Sequence, residues 1–173
     1  MKKNINIKNK KEAVKLLREL KERKYVLADI KFENVHLRDI NALLERNIFS
    51  KNDLYANTIS LWELMQPQGK RGVHNHHDLT PEDIIDTLAS ITEPYCILKT
   101  EISQYAIMST SKSHFGEPLF VIIEINSGLV ADKKAKINKL VTMFPMKNIE
   151  RVIKSKEPKD VLYVNPKQNP HNQ

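Results

Sequence analysis

Between residues 95 and 144 the sequence holds four short segments rich in β-branched and aromatic residues, and turn-forming residues separate them. The segments are residues 95–99, 104–109, 119–126 and 137–144, with Ser113, Gly116, Asn126 and Gly128 in the turns. The clearest helical patterns come before them. Consecutive strands with short connections favour an antiparallel sheet over alternating strands and crossover helices. The order therefore predicts an α+β fold in which N-terminal helices pack on one face of a roughly four-stranded antiparallel sheet.

Hydrophobic spacing and capping signals predict the helices. Residues 11–21 and 37–44 carry apolar side chains at helical spacing, and charges lie opposite the first set. Residues 25–32 have a weak strand pattern, and residues 54–65 fit a helix or a strand equally well. Thr80 precedes Pro81, and Asp83 follows three residues after Thr80, so a capped helix is predicted over 81–91. A second helix is predicted over 146–155, and a last strand over 161–164.

These patterns divide the chain into three parts. Residues 1–68 are predicted to form a helical N-terminal extension or subdomain whose first ten residues are frayed. A break that contains Gly69 and Gly72 follows, and residues 70–165 are predicted to form the α+β domain. The polar residues 166–173 are predicted to be a disordered tail.

The charge is strongly segregated along the chain. The net charge is +7, but residues 1–24 hold ten basic and three acidic residues, and residues 133–159 hold nine basic and two acidic. Residues 29–132 hold eight basic and fifteen acidic residues. Two basic ends can bind a polyanion such as RNA, although each end could also be a solvated helix face. No apolar run fits a membrane span or a secretory signal, so a cytoplasmic protein that does not bind membranes is expected.

A histidine cluster lies just before the predicted helix at Pro81. His74, His76 and His77 follow Arg71, and Asp78 comes next. Histidine changes charge near neutral pH, so the cluster suits proton transfer, anion binding or metal binding, although histidines of a polar loop can also simply face water. A metal site would use the side chains from His74 to Asp78. In an extended chain, however, His74 and His76 share one face while His77 points away.

Metal-free RNA cleavage makes different demands. It needs a base for the 2′-hydroxyl, an acid for the leaving oxygen, and cations or donors around the phosphate. The histidines could supply the first two, Thr142 lies near the end of the predicted strand 137–144, and Lys147 and Asn148 open the adjacent basic helix. Threonine also simply favours strands. A pure binding module would need exposed aromatics for stacking, and only 6% of the chain is aromatic, with Tyr55 and Tyr163 outside the most apolar runs.

Several known signatures are absent, and one resemblance is present. Glycine-rich phosphate loops, dinucleotide fingerprints, Gly-x-Ser-x-Gly elbows and zinc-protease helices do not occur. The lone Cys96 lies in an apolar strand pattern and is expected to be a buried structural thiol. The succession Gly72-Val-His74-Asn-His-His77-Asp-Leu-Thr-Pro81, Val141-Thr142-Met-Phe-Pro145 and Val161-Leu-Tyr163 resembles phage-associated nuclease domains of the barnase, EndoU, colicin and RelE (BECR) superfamily. Relatives occur at the end of phage Mu-type head-morphogenesis proteins and among toxins.

The resemblance covers residues 70–165 and implies a fold and a chemistry. The implied fold is one or two helices followed by a four-stranded antiparallel sheet, and the implied activity is metal-independent RNA cleavage. His74 and His77 match the histidines of the family ahead of the first core helix, and Thr142 matches its strand-terminal Ser or Thr. Many members have a basic residue before the second histidine, where this chain has His76, so the choice between His76 and His77 stays open. Residues 1–68 have no counterpart.

The sequence thus predicts a metal-independent endoribonuclease without a cofactor, a phage or mobile-element toxin. Its predicted partners are RNA and a cognate antitoxin or immunity protein. His74, His77 and Thr142 are the predicted catalytic residues. The predicted substrate contacts are Arg71, His76, Lys147, Asn148 and Tyr163. Two alternatives remain: an inactive module of the same fold that binds nucleic acid or protein, and a metal-dependent nuclease that uses the cluster from His74 to Asp78.

Overall fold

The protein folds around a single eight-stranded sheet in a computed structural model. The structure describes residues 5–22, 27–68, 76–165 and 167, and for residues 5–7 only the backbone. The helices are α1 (Lys10–Glu22), α2 (Asp39–Leu44), α3 (Thr58–Leu64), α4 (Pro81–Ala89) and α5 (Ile149–Ser155), and a short 3-10 helix covers Pro158–Asp160. The strands are β1 (Ile5–Ile7), β2 (Asp29–Phe32), β3 (Leu54–Asn57), β4 (Cys96–Glu101), β5 (Gln104–Lys112), β6 (Pro118–Ser127), β7 (Ile137–Pro145) and β8 (Val161–Val164).

The α+β class is confirmed, but the expected four-stranded sheet is wrong. The strand order is β1-β2-β3-β7-β6-β5-β4-β8. The four predicted strands form the antiparallel block β7-β6-β5-β4, and β8 adds to its outer side. On the other side, β3 pairs with β7 in parallel and continues the sheet through β2 to β1. These three added strands have only three or four residues each, which is too short to give a clear alternating pattern.

The N-terminal part is not simply helical, because it contributes these three strands as well as three helices. The expected fraying of the first ten residues is wrong for Ile5–Ile7, which pair in parallel with β2. The ambiguous segment 54–65 is a strand followed directly by a helix, and Asn57 marks the change. Its side-chain oxygen accepts a hydrogen bond from the Ser60 amide at 2.7 Å and caps α3. A periodicity test averages over both elements, which is why it favours neither.

The sheet is covered on both faces, so the expectation of helices on one face only is also wrong. Alternate residues of β6 point to opposite faces. Leu119, Val121 and Ile123 join the larger apolar cluster, which contains buried residues of α1, α3 and α4. Phe120 and Ile122 join a second cluster with Ile149 of α5. The two clusters place the core on either side of the central strands.

The N-terminal helix is bound tightly to the rest of the molecule. Its buried side chains Ala13, Leu17 and Leu20 belong to the larger cluster. Lys10 contacts Asp86 at 2.6 Å, and Arg18 contacts Glu82 at 2.5 Å, so two ion pairs join α1 to α4. Residues before and after position 68 therefore share one sheet and one core. The predicted tail, 166–173, lies outside the described residues apart from Lys167.

Two further predictions concern α4 and Cys96. The predicted capping box is confirmed, because the Asp83 amide donates to Thr80 Oγ1 at 3.0 Å and Asp83 Oδ2 accepts from the Thr80 amide at 3.0 Å. Cys96 is fully buried in β4, as expected, and burial raises the pKa of its thiol to about 12. Such a thiol is not a nucleophile at neutral pH. Within the described ranges, every helix is too short or too polar to cross a lipid bilayer.

Candidate functional site

A cleft of about 830 Å³ opens beside the C-terminal half of β7, and we call it the β7 cleft. Its lining comes from the segment before α4, the β5–β6 loop and the end of β7 with the residues that follow. The lining residues are Gln68, His77, Phe115, Glu117, Thr142, Phe144, Pro145 and Lys147. His77, Thr142 and Lys147 are residues that the sequence pattern singled out. The fold brings these three side chains into one cavity.

The pairing of β7 leaves room for this cleft. β3 pairs only with Asn138 and Lys139, so the rest of that edge of β7 has no strand partner among the described residues. The chain before α4 is fixed nearby, because the Asp78 amide donates to the Gln66 carbonyl at 2.9 Å and the Leu79 amide donates to the Leu64 carbonyl at 3.0 Å. Asp78 has φ 51°, a left-handed conformation that turns the chain between His77 and the helix.

His77 is half-buried and lies against Phe144, with ring centroids 6.2 Å apart. Its Nδ1 is shielded from water and has no hydrogen-bond partner within the described ranges. Burial lowers the pKa of the His77 imidazole below its ordinary value of 6.5, and the neighbouring His76 lowers it further. The ring is therefore neutral at pH 7. A neutral imidazole in a cleft can accept a proton.

Thr142 and Lys147 lie on the β7 side of the cleft. Thr142 pairs with Ile122 of β6, and its Oγ1 is buried without a hydrogen-bond partner among the residues described. A buried hydroxyl without a partner costs stability, and Thr87 and Thr100 share this feature, but of the three only Thr142 lines the cleft. The Lys147 side chain is 84% exposed, and its ammonium lies 3.8 Å from a carboxylate oxygen of Glu117. An ion pair at this distance with an exposed lysine is weak, so the ammonium can reorient toward an anion.

The β5–β6 loop also lines the cleft, through Phe115 and Glu117, and sequence reasoning missed its part in the site. Asp83 of α4 binds His114 through both carboxylate oxygens. Oδ1 accepts a hydrogen bond from the His114 backbone amide at 2.8 Å, and Oδ2 lies 2.5 Å from the ring Nδ1. The ring of His114 stacks on Phe115 with centroids 3.9 Å apart. The only signal was the turn pattern around Ser113 and Gly116, which does not reveal a contact with a helix that starts at residue 81.

The structure does not bring every predicted residue to the cleft. The ring of His76 lies edge-on to Trp62 with centroids 6.0 Å apart, and it does not line the cavity. The Asn148 side chain accepts a hydrogen bond from the Arg151 amide at 3.1 Å and caps α5, which is a structural role.

Tyr163 pairs with Ile97 at the far edge of the sheet, four strand spacings or about 19 Å from β7. The structure therefore does not bring Tyr163 to the β7 cleft. Arg71 and His74 lie outside the described residues.

The described members of the predicted metal cluster do not converge. His76 packs on Trp62 while His77 packs on Phe144, so their rings face different neighbours. Among the described residues, no three His, Cys, Asp or Glu side chains come together in a way that would hold a metal ion. The arrangement of the β7 cleft suits proton transfer and anion binding.

Comparison with known families adds one decisive observation. The sequence model of the phage MuF C-terminal domain matches residues 68–171, more than half of the chain. The chain belongs to the phage MuF C-terminal domain family. No curated protein and no solved structure gives a significant match. All the residues that line the β7 cleft lie within the matched MuF domain, as do α4, α5 and β4 to β8. The three N-terminal strands lie outside it. The MuF match makes this a phage-associated protein.

Proposed function

We propose that this MuF-family protein is a metal-independent endoribonuclease of the BECR type that acts as a phage or mobile-element toxin. One observation carries the proposal. A neutral imidazole (His77), an unpaired hydroxyl (Thr142) and a weakly paired ammonium (Lys147) line the same cleft, although 65 residues of sequence separate the first two. They can supply the base, the hydrogen-bond donor and the cation that cleavage of RNA by its own 2′-hydroxyl requires, and the acid for the leaving oxygen must come from another residue.

The proposed reaction begins at the 2′-hydroxyl of RNA. His77 accepts the proton of this hydroxyl, and its low pKa keeps the ring neutral and ready for that step. The 2′-oxygen attacks the phosphorus, the bond to the 5′-oxygen breaks, and that oxygen leaves with a proton from an acid. The sequence predicts His74 and His77 as a base and acid pair without fixing their order, so with His77 as the base we assign the acid to His74, which lies three residues earlier and outside the described residues.

Thr142 and Lys147 stabilise the charge on the phosphate in this proposal. The Oγ1 atom is covered, whereas the residue itself lines the cleft. Rotation about the Cα–Cβ bond of threonine moves the hydroxyl to another staggered position, from which it can donate to a phosphate oxygen. The ammonium of Lys147 would leave Glu117 for the phosphate, which carries a full negative charge.

The first test is cleavage of RNA in the presence of EDTA. The purified protein should cut total RNA, and His77→Ala should reduce the rate by about 100-fold or more if it removes a positioned base. His76→Ala is the matched control, because this neighbouring ring packs on Trp62 outside the cleft and should leave the rate nearly unchanged. Full activity in His77→Ala would refute the assignment of the base. Loss of activity in EDTA alone would point to the metal-dependent alternative.

The toxin role has its own test. Expression from a repressed promoter should stop growth, and the His77→Ala protein should not. Coexpression with each neighbouring open reading frame would then show which product relieves the arrest, which identifies the predicted antitoxin or immunity protein. Normal growth with wild-type protein at detectable levels would count against a toxin.

One observation favours the inactive binding module instead. Glu117 lies in the cleft beside Lys147, where its carboxylate opposes the entry of a phosphate. This alternative predicts binding that weakens steeply as salt rises, with no turnover. Multiple turnover of any RNA at substoichiometric protein would exclude it.

A further inference from the structure

The rim of the β7 cleft carries an exposed aromatic side chain. Phe115 is 53% exposed, although it belongs to a short loop that could have held a polar residue at this position. It lines the same cleft as Thr142 of β7 and Lys147, which follows β7. One side of its ring stacks on His114, with centroids 3.9 Å apart and planes inclined by 38°. The rest of the ring faces open space.

The ring of His114 is held firmly in place. Asp83 is buried, and its carboxylate accepts a hydrogen bond from the His114 amide at 2.8 Å and lies 2.5 Å from the ring Nδ1. The same carboxylate accepts a hydrogen bond from the Thr80 backbone amide at the start of α4. The loop closes on itself, since the Ser113 amide donates to the Glu117 carbonyl at 2.7 Å, and Gly116 adopts φ 81°. A buried helix residue thus orients a histidine, and the histidine orients Phe115.

We propose that Phe115, backed by His114, is a stacking platform for a base of single-stranded RNA next to the phosphate held in the β7 cleft. The proposal rests on the proposed ribonuclease function. Every base has an aromatic face, so an exposed ring beside a cation binds nucleotides with little sequence preference. A ring fixed before binding loses little conformational freedom when the base arrives. Asp83 and His114 are positioning residues in this arrangement.

The test uses an RNA oligonucleotide that the protein cannot cleave. Its 2′-hydroxyls are methylated, and one base is replaced by 2-aminopurine, whose fluorescence falls on stacking. We expect wild-type protein to bind it and quench the probe. Phe115→Leu, which keeps an apolar side chain without a ring, should weaken binding by about 10-fold and reduce the quenching. Phe115→Trp should retain both. Ile102→Ser is the matched control, because this side chain is 90% exposed in the turn between β4 and β5, away from the cleft.

The outcomes separate this inference from the proposed function. If Phe115→Leu binds and quenches like the wild type, the platform is refuted, even where the protein cleaves RNA. If the wild type quenches the fluorescence of the probe and only Phe115→Leu fails to quench it, the platform is supported. This holds even where no RNA is cut and the ribonuclease proposal fails. A wild type that does not bind the oligonucleotide overturns the inference. A protein ligand at this rim would give that same result.

Discussion

Thr142 gives the sharpest prediction for a single residue. Its buried Oγ1 has no hydrogen-bond partner among the described residues, so Thr142→Val replaces an unsatisfied hydroxyl by a methyl group of the same shape. The free energy of unfolding should stay equal or rise by about 1 kcal/mol, because the cost of the unpaired hydroxyl disappears. The rate of RNA cleavage should fall by about 100-fold if the hydroxyl donates to the phosphate. Urea unfolding and single-turnover kinetics measure the two effects.

A purely structural threonine would give a different pair of results, namely unchanged or improved stability with unchanged cleavage. Thr110→Val, in β5, is the matched control for a Thr-to-Val change away from the cleft. A large loss of stability in Thr142→Val would show that its hydroxyl has a partner in solution.

His77 predicts a dependence of stability on pH. Its pKa is lowered in the folded protein, so the unfolded chain binds more protons once the pH falls below about 6.5. The contribution of neutral His77 is present above pH 6.5 and is lost as the pH falls from 6.5 toward the folded pKa. His77→Gln should lack this part of the slope when unfolding is followed by urea titration at several pH values between 5 and 8. Identical slopes in both proteins would contradict the burial of the ring. The acidic limb of the cleavage rate should also have its midpoint below 6.5.

Among single residues, the sequence pattern singled out only some of those that line the β7 cleft. His77 and Thr142 were visible because a histidine cluster and a strand-terminal hydroxyl are local patterns, and Lys147 follows in the adjacent basic segment. Phe115 and Glu117 were missed, because only tertiary contacts bring the β5–β6 loop to the cleft. Tyr163 lies away from the cleft, because a sequence pattern does not reveal how many strands separate β8 from β7.

The cap of α4 gives a prediction for an element. Thr80 Oγ1 accepts the Asp83 amide, so Thr80→Ala should lower the free energy of unfolding by about 1 kcal/mol. The Thr80 backbone amide still donates to Asp83, so the anchoring of His114 and the RNA affinity should change little. Thr80→Ser keeps a capping hydroxyl and is the matched control. Equal urea midpoints for the alanine and serine variants would show that the cap does not stabilise α4.

The elements differ in how well local pattern predicted them. The α4 helix and strands β4 to β7 were recovered because each has its own capping signal or apolar run. The second face of the sheet is covered by α5, whose apolar residues Ile149, Val152 and Ile153 show spacing but not the side on which they pack. Strands β1 to β3 were not recognised as part of the sheet, because their pairing depends on residues distant in sequence.

At the scale of the whole molecule, the boundary near residue 68 can be tested directly. The MuF match begins there, yet Leu17, Leu20 and Leu61 from the N-terminal part are buried in the shared core. A protein of residues 68–173 should lose this cover and the pairing of β3 with β7. We expect no cooperative thermal unfolding and strong binding of an apolar dye. Removal of residues 168–173 alone, from the predicted tail, is the control and should preserve the transition. A cooperative fold of the shorter protein would instead establish the predicted domain boundary.

The walls of the β7 cleft come from three segments that meet only after the chain before α4, the β5–β6 loop and the end of β7 have assembled. A polypeptide chain is synthesised from one end to the other. An incomplete or extended chain therefore has no such cavity. Under the proposed ribonuclease function, such a chain would therefore have no catalytic activity. An inhibitor of the proposed activity could act by moving the loop of Phe115 away from α4 without touching His77.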